Sequence, residues 1–219
     1  MLPFLREGLV LEMHFNELVG TIAYDLSGYS NNGTIYGATR VNEGFVRALH
    51  FDGVDDYVSI PHSSSLDLKT ALTLSAWVYR TRAAGEWIIN KNYDAIANTQ
   101  YGFFLESNHA INFVLNGATR VSFIMDIIGK WTHIVCTWDK SLAKIYVNGE
   151  LKASASYTTE LTSQPYALTL ATRKTTGGVP GASWFNGSID EVLIYNRALS
   201  ESEIRAIYDY YMKKKFEHR

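Results

Sequence analysis

Leu72-Thr73-Leu74-Ser75-Ala76-Trp77-Val78-Tyr79 decides the fold, because the aliphatic set at 72, 74, 76 and 78 alternates with a Thr, Ser and aromatic set. A period of two puts successive side chains on opposite faces of a strand, so one face of this stretch is expected on a core. The same alternation recurs at Trp131 to Trp138, Lys144 to Val147, Tyr166 to Ala171 and Ile189 to Tyr195. Turn signals separate these segments. Ile145-Tyr146-Val147-Asn148-Gly149-Glu150-Leu151 reads as a hairpin with a two-residue turn, since Asn and Gly both tolerate positive φ. Asn-Gly also occurs at 32–33, 116–117 and 186–187. Many short strands with frequent turns predict an all-β, two-sheet antiparallel β-sandwich of the jelly-roll kind.

Composition supports one folded unit. A length of 219 residues suits one large sandwich, and no repeat or low-complexity linker divides it, so residues 1–219 read as a single domain. With 47% hydrophobic and 19% charged residues, the chain is not of disordered composition. A net charge of -2 gives no nucleic-acid footprint, and the one basic run, Lys213-Lys214-Lys215, reads as a solvated tail over 213–219. The single cysteine, Cys136, excludes an internal disulfide framework and lies in an apolar run that reads as core. No run approaches the roughly 20 apolar residues that span a bilayer, so no membrane insertion is expected. Arg6, Glu7 and Glu12 interrupt the apolar start, so no signal peptide is expected there either.

The helical signal is confined to the end. Ser200-Glu201-Ser202-Glu203 is a capping box, Leu199 and Ile204 stand at hydrophobic-staple positions, and Ile204, Ile207, Tyr208 and Tyr211 form one apolar stripe. This predicts one short C-terminal helix over about 201–212.

In order along the chain, these motifs resemble the laminin-G-like jelly rolls of the concanavalin A-like lectin/glucanase superfamily. The resemblance rests on Gly8-Leu-Val-Leu-Glu-Met-His-Phe15, Asp25-Leu-Ser-Gly-Tyr-Ser-Asn-Asn-Gly-Thr34 and Ala48-Leu-His-Phe-Asp-Gly-Val-Asp-Asp-Tyr-Val58. It continues through Leu74 to Val78, Trp131 to Val135, Tyr146 to Glu150, Phe185 to Val192 and Tyr195 to Ile204. Fold is strongly implied. Function is not, because this fold hosts binding modules and enzymes alike.

Three constellations could carry function. Calcium takes six to eight oxygens in irregular loops, and Asp25-x-Ser27-Gly28-x-x-Asn31-Asn32 is an oxygen-rich loop. The resemblance implies a calcium ion held by Asp25 and Asp190, with Asn31 and Asp52 supplying further oxygens. Against it, Asp25 and Asp52 can each simply cap a turn, and Asp55-Asp56 reads as a solvated turn. The second constellation is for sugars, whose flat C–H faces call for aromatic rings beside polar groups. Trp87, Tyr93, Tyr101 and Trp184, interleaved with Lys91 and Arg120, form the candidate ligand set. Strict alternation puts Trp87, Ile89 and Lys91 on one face, whereas Trp77, Trp131 and Trp138 read as core. For Trp87 and Trp184 both core and ligand contact stay open.

Catalysis is the third. Two carboxylates must flank a scissile glycosidic bond, and the glucanase strand supplies them as Glu-x-Asp-x-Glu. No Glu here is followed two residues later by Asp, and Glu201 and Glu203 belong to the helix start. His133 occupies a position that the resemblance gives to a packed, hydrogen-bonded histidine. The expectation is therefore a non-catalytic, lectin-like module for a carbohydrate or glycosylated surface, with calcium as a candidate structural ion. A divergent glycoside hydrolase or lyase and a structural adhesion domain are the alternatives. The resemblance favours an extracellular or surface location, and the sequence does not set the oligomeric state.

Overall fold

The computed structural model of the chain describes residues 5–43, 47–92, 96–174 and 180–217. Two antiparallel sheets lie face to face. The first contains β1 (Leu9–Met13), β4 (Thr39–Val41), β5 (Ala48–Asp52), β7 (Leu72–Arg80), β12 (Trp131–Trp138), β13 (Leu142–Val147), β14 (Glu150–Ser156) and β18 (Asn186–Tyr195). Its order is β14-β13-β12-β7-β18-β5-β4, with β1 also paired to β18. The second contains β2 (Ile22–Ala23), β3 (Gly33–Tyr36), β6 (Tyr57–Ile60), β8 (Glu86–Lys91), β9 (Tyr101–Leu105), β10 (Ala110–Leu115), β11 (Ala118–Ile124) and β15 (Leu168–Leu170). Its order is β11-β10-β9-β8-β15-β6-β3-β2. A small hairpin, β16 (Arg173–Lys174) with β17 (Pro180–Ala182), stands apart from both. The β-sandwich expected from the sequence is the architecture found.

Both faces of β7 are used. Leu72, Leu74, Ala76 and Val78 enter the main core between the sheets, where Ile89, Phe103 and Phe113 of the second sheet also lie. Each such side chain removed from water stabilises by about 1.5–3 kcal/mol. The opposite set faces the C-terminal helix α1 (Glu201–Glu217), where Trp77 joins Ile204, Ile207 and Tyr211 in a second core. Trp77 stacks on Tyr208 at 5.6 Å and on His133 at 5.1 Å. The polar members of the set are satisfied: the Ser75 hydroxyl bonds His133 Nε2 at 2.9 Å, and the Thr73 hydroxyl donates to the Arg197 carbonyl at 2.8 Å. His133 is thus the packed, hydrogen-bonded histidine expected, and burial pushes its pKa down to about 3.

The helix begins as its capping box predicts. The Ser200 hydroxyl accepts from the Glu203 amide at 3.3 Å, and the Ser200 amide donates to Glu203 Oε2 at 2.8 Å. Arg197 grips the same carboxylate with two bonds and, against the smaller penalty of burial, holds its pKa down at about 2. The far end differs from expectation: the helix runs on to Glu217, so the basic run is a helical turn rather than a free tail. Lysine is a good helix former, and the Lys214 ammonium lies 5.0 Å from the Tyr210 ring, which favours continuation.

Two of the four Asn-Gly pairs are turns. Asn148-Gly149 closes β13 onto β14 and Asn116-Gly117 closes β10 onto β11, all four residues having positive φ. The other two lie at close approaches inside the sheets. A Cβ on Gly33 would meet Val58 Cγ1 at 2.6 Å, and one on Gly187 would meet the Tyr79 carbonyl oxygen at 2.0 Å.

Candidate functional site

The helix and the N-terminal segment cover the outer face of the first sheet. Among the described residues no α-helix covers the outer face of the second, where the outward side chains of β8, β9, β10 and β15 are buried and those of β3 and β6 reach solvent. The ladder fixes which residues project there. Ile35 pairs with Val58 and both enter the core, so their neighbours Tyr36 and Tyr57, also paired, turn outward. Continuing the register, Thr34, Ser59, Thr169, Asn90, Gly102 and Val114 form one outward row across six strands.

Aromatic rings stand at two places on this face. At one end, Tyr36 and Tyr57 stack with centroids 4.5 Å apart, and Trp184 lies 6.0 Å from Tyr57 at an interplanar angle of 46°. Tyr36 is 46% exposed, and Tyr57 and Trp184 are half-buried. Further along, Trp87 packs on Phe104 at 4.8 Å, with Val114 beside them, all buried. Beside the second group, both amide atoms of Asn90 on β8 and Nδ2 of Asn112 on β10 are buried without a hydrogen-bond partner.

An acidic turn flanks the exposed rings. Carboxylate oxygens of Asp52, Asp55 and Asp56 lie within 4.8 Å of one another. Asp56 is buried and accepts from the Asp52 amide at 2.8 Å. Burial, with the charges of Asp52 and Asp55, raises its pKa above the ordinary carboxylate value. Arg82 ties this turn to the rings, its Nη2 donating to the Gly53 carbonyl at 3.2 Å and to the Trp184 carbonyl at 3.0 Å.

The six residues expected to bind ligand are not brought together. The structure puts a β-bulge in β8: Trp87 pairs with Phe104 but Ile89 pairs with Phe103, a one-residue slip. Trp87 therefore faces outward while Ile89 and Lys91 face the core, and the single shared face read from strict alternation does not exist. Lys91 is buried, donating to the Tyr166 carbonyl at 2.8 Å and meeting His62 Nδ1 at 3.3 Å. Tyr101 is buried and donates to the Leu66 carbonyl at 2.7 Å. Arg120, on edge strand β11, lies over the Tyr157 ring at 4.4 Å and bonds the Leu115 carbonyl. Tyr93 lies outside the described residues. Of the five described members, Trp184 alone stands at the exposed ring cluster, with Tyr36 and Tyr57, which sequence reasoning passed over. Their outward alternation with Ile35 and Val58 was the available signal.

The residues expected to hold calcium are likewise divided. Asp25 Oδ1 accepts from the amides of Glu12 and Ser27, and Oδ2 from the Ser27 hydroxyl and the Asn31 amide. Four donors at 2.8–2.9 Å already occupy its lone pairs, so this carboxylate does not fit a cation without giving them up. Asn31 reaches the Val10 carbonyl and the Ser65 hydroxyl. Asp52 joins the acidic turn instead, and Asp190 is buried on β18, accepting from the Glu191 amide.

Next to Asp190 is a cluster that sequence reasoning missed. His14 is clamped between two buried carboxylates, with Nε2 3.0 Å from Glu12 Oε1 and Nδ1 in a very short bond to Glu191 Oε2. Burial lowers the pKa of His14, but the bonds and charges of Glu12 and Glu191 outweigh it and raise the value to about 9. Both ring nitrogens are occupied, so the protonated imidazole here is a structural tie between β1 and β18 and not a free base.

Comparison with known proteins agrees with this architecture. A family model described as the concanavalin A-like lectin/glucanases superfamily, of laminin-G type, matches residues 52–205. No curated protein matches by sequence. Among solved structures, the binding domain of Paraclostridial Mosquitocidal Protein 1 is similar, with TM-score 0.74 and 17% identity over 94% of this chain and 53% of that chain. A mutant of Trypanosoma rangeli sialidase displaying trans-sialidase activity has TM-score 0.70 and 19% identity over 92% of this chain and 32% of that one. The binding domain of Botulinum Neurotoxin DC in complex with SialylT has TM-score 0.71 and 16% identity over 94% and 52%. This chain spans about half the length of the toxin domains and a third of the sialidase. At these identities the likeness establishes fold alone, whereas the family model covers most of the chain. The chain belongs to the laminin-G-type group of the concanavalin A-like lectin/glucanase superfamily.

Proposed function

We propose that this chain is a glycan-binding module whose ligand lies on the outer face of the second sheet, over Tyr36, Tyr57 and Trp184. One observation carries the reading: stacked, solvent-reaching rings at one end of a sheet face, beside the half-buried hydroxyl residues Thr34 and Ser59. Sugar rings bury C–H faces on aromatic rings and direct their hydroxyls to neighbouring polar side chains. The names of the fold relatives add support, since one is a toxin binding domain in complex with SialylT and another a sialidase in complex with sialic acid. No carboxylate projects from the described outward strand positions; those beside the rings belong to the Asp52, Asp55 and Asp56 turn.

The test is glycan-array screening followed by affinity electrophoresis of wild type, Tyr36→Ala and Trp184→Ala. Each substitution is expected to weaken retention by about fivefold to tenfold, from roughly 1 kcal/mol of lost ring contact. Retention that is unaffected by either substitution would remove the site, and no retention on any glycan would remove the function. Calcium plays no part in this reading.

A protein-contacting role is favoured by a separate observation. Leu18 and Val19 are 76% and 84% exposed, and Tyr24 and Leu26 line a cavity of about 240 Å³ beside His14. Concentration-dependent self-association lost in Leu18→Ser/Val19→Ser would support that role.

A further inference from the structure

Charge at the proposed glycan face narrows the class of sugar, an inference that rests on the glycan reading. The outward positions of the central strands carry Trp87 and Asn90 on β8, Gly102 and Phe104 on β9, and Asn112 and Val114 on β10. Thr34, Tyr36, Tyr57 and Ser59 continue the face on β3 and β6. None of these side chains is charged. The amides of Asn90 and Asn112 are buried, so they do not meet a ligand at the open end and bring no charge to it.

The exposed end is acidic. Asp56 directly precedes Tyr57, and a Cβ on Gly37, the residue after Tyr36, would lie 1.9 Å from Asp56 Oδ1. Asp52 and Asp55, both exposed, complete the cluster. The basic side chain bonded to this turn, Arg82, is committed to Glu86 at 2.8 Å and to two carbonyls. Beside edge strand β2, next to β3, Arg40 is likewise tied to Glu17 and to the Gly20 and Ile22 carbonyls. An anionic sugar seated on Tyr36 and Trp184 would meet two or three like charges at close range, with those guanidinium groups already engaged.

We propose that this face selects neutral saccharides and discriminates against sialylated and uronate-bearing ones. The experiment compares matched neutral and sialylated oligosaccharides, and a uronate polymer, in chelator-containing low-salt buffer. The acidic member of each pair should bind about fivefold to tenfold more weakly, from unit charges interacting through water at several ångströms. That ratio should shrink toward one at about 0.5 M salt, and also in Asp52→Asn/Asp55→Asn at low salt. Equal or tighter binding of the acidic member, or a ratio unmoved in the double variant, overturns the proposal while leaving the glycan reading intact. Tighter binding of the acidic member once calcium replaces chelator overturns it too. Absence of binding to every glycan, by a protein that melts cooperatively, removes the glycan reading itself and this inference with it.

Discussion

Raising the pH from 6 to 8.5 should destabilise this protein through one side chain above all, His14. Its imidazole, one residue past the end of β1, bridges Glu12 on β1 and Glu191 on β18, and those carboxylates raise its pKa from 6.5 to about 9 despite burial. A folded value above the unfolded one means that the folded state holds the proton more tightly. The stabilisation is therefore complete below pH 6.5 and is lost as pH rises through about 9. At about 1.4 kcal/mol per pH unit, the displacement corresponds to about 3 kcal/mol, or on the order of 6–12 °C in melting temperature for a domain of this size. With the His14 side chain only 18% exposed, solvent screens little of this. Urea unfolding at pH 6, 7, 8 and 8.5 measures it directly, below the range in which the buried Cys136 thiol and the buried tyrosines of raised pKa also lose stability. His14→Gln should start lower at pH 6, because it leaves Glu191 without the imidazolium and Glu12 with Arg6 alone, and should then lose little by pH 8.5. A wild-type stability that is flat from pH 6 to pH 8.5, or a variant with the same slope as wild type, would refute the clamp.

Other perturbations test the frame around the site. Ser200→Ala removes the cap of α1 and should cost about 1 kcal/mol in chemical denaturation; an unchanged midpoint would mean that the helix does not start there. Gly187→Ala places a methyl group 2.0 Å from the Tyr79 carbonyl oxygen on the neighbouring strand, so it should cost more than about 3 kcal/mol or abolish soluble expression. Normal folding of that variant would contradict the β18–β7 register. Chelator should leave the melting temperature unchanged, because the Asp25 carboxylate is already satisfied by four donors from the chain. A clear drop, restored by added calcium, would show that the loop binds the ion after all.

The sandwich was legible because its strongest signals are local. The 72/74/76/78 alternation needs only one buried face to be correct, and Ser200 with Glu203 specifies a helix start within four residues. Asn-Gly was a less reliable guide. At 148–149 and 116–117 the pair makes a turn, whereas at 33 and 187 the glycine is required by a side chain or carbonyl on the neighbouring strand. That demand is tertiary, and a sequence read one segment at a time cannot carry it. The helix overran its expected end for a related reason: nothing after Met212 terminates it, and the lysines that resemble a tail are also helix formers.

The proposed ligand face was harder to read than the fold, and one residue accounts for much of the difference. Along Glu86-Trp87-Ile88-Ile89-Asn90-Lys91 strict alternation groups Trp87 with Lys91, but the bulge at Ile88 separates them. Lys91 thereby turns inward toward His62 and the Tyr166 carbonyl, and Trp87 turns outward to Phe104. A bulge leaves no residue signature in a run this apolar, so every assignment beyond it inherits the wrong face. Tyr36 and Tyr57 suffer from no such slip. They were overlooked because they are separated by twenty residues and become one surface only when β3 pairs with β6. Sugar-binding surfaces on sheets are assembled across strands in this way, so the aromatic residues that matter are neighbours in register and not in sequence. The ring pair that the register creates, more than the aromatic-rich run around Trp87, is what a glycan would meet first.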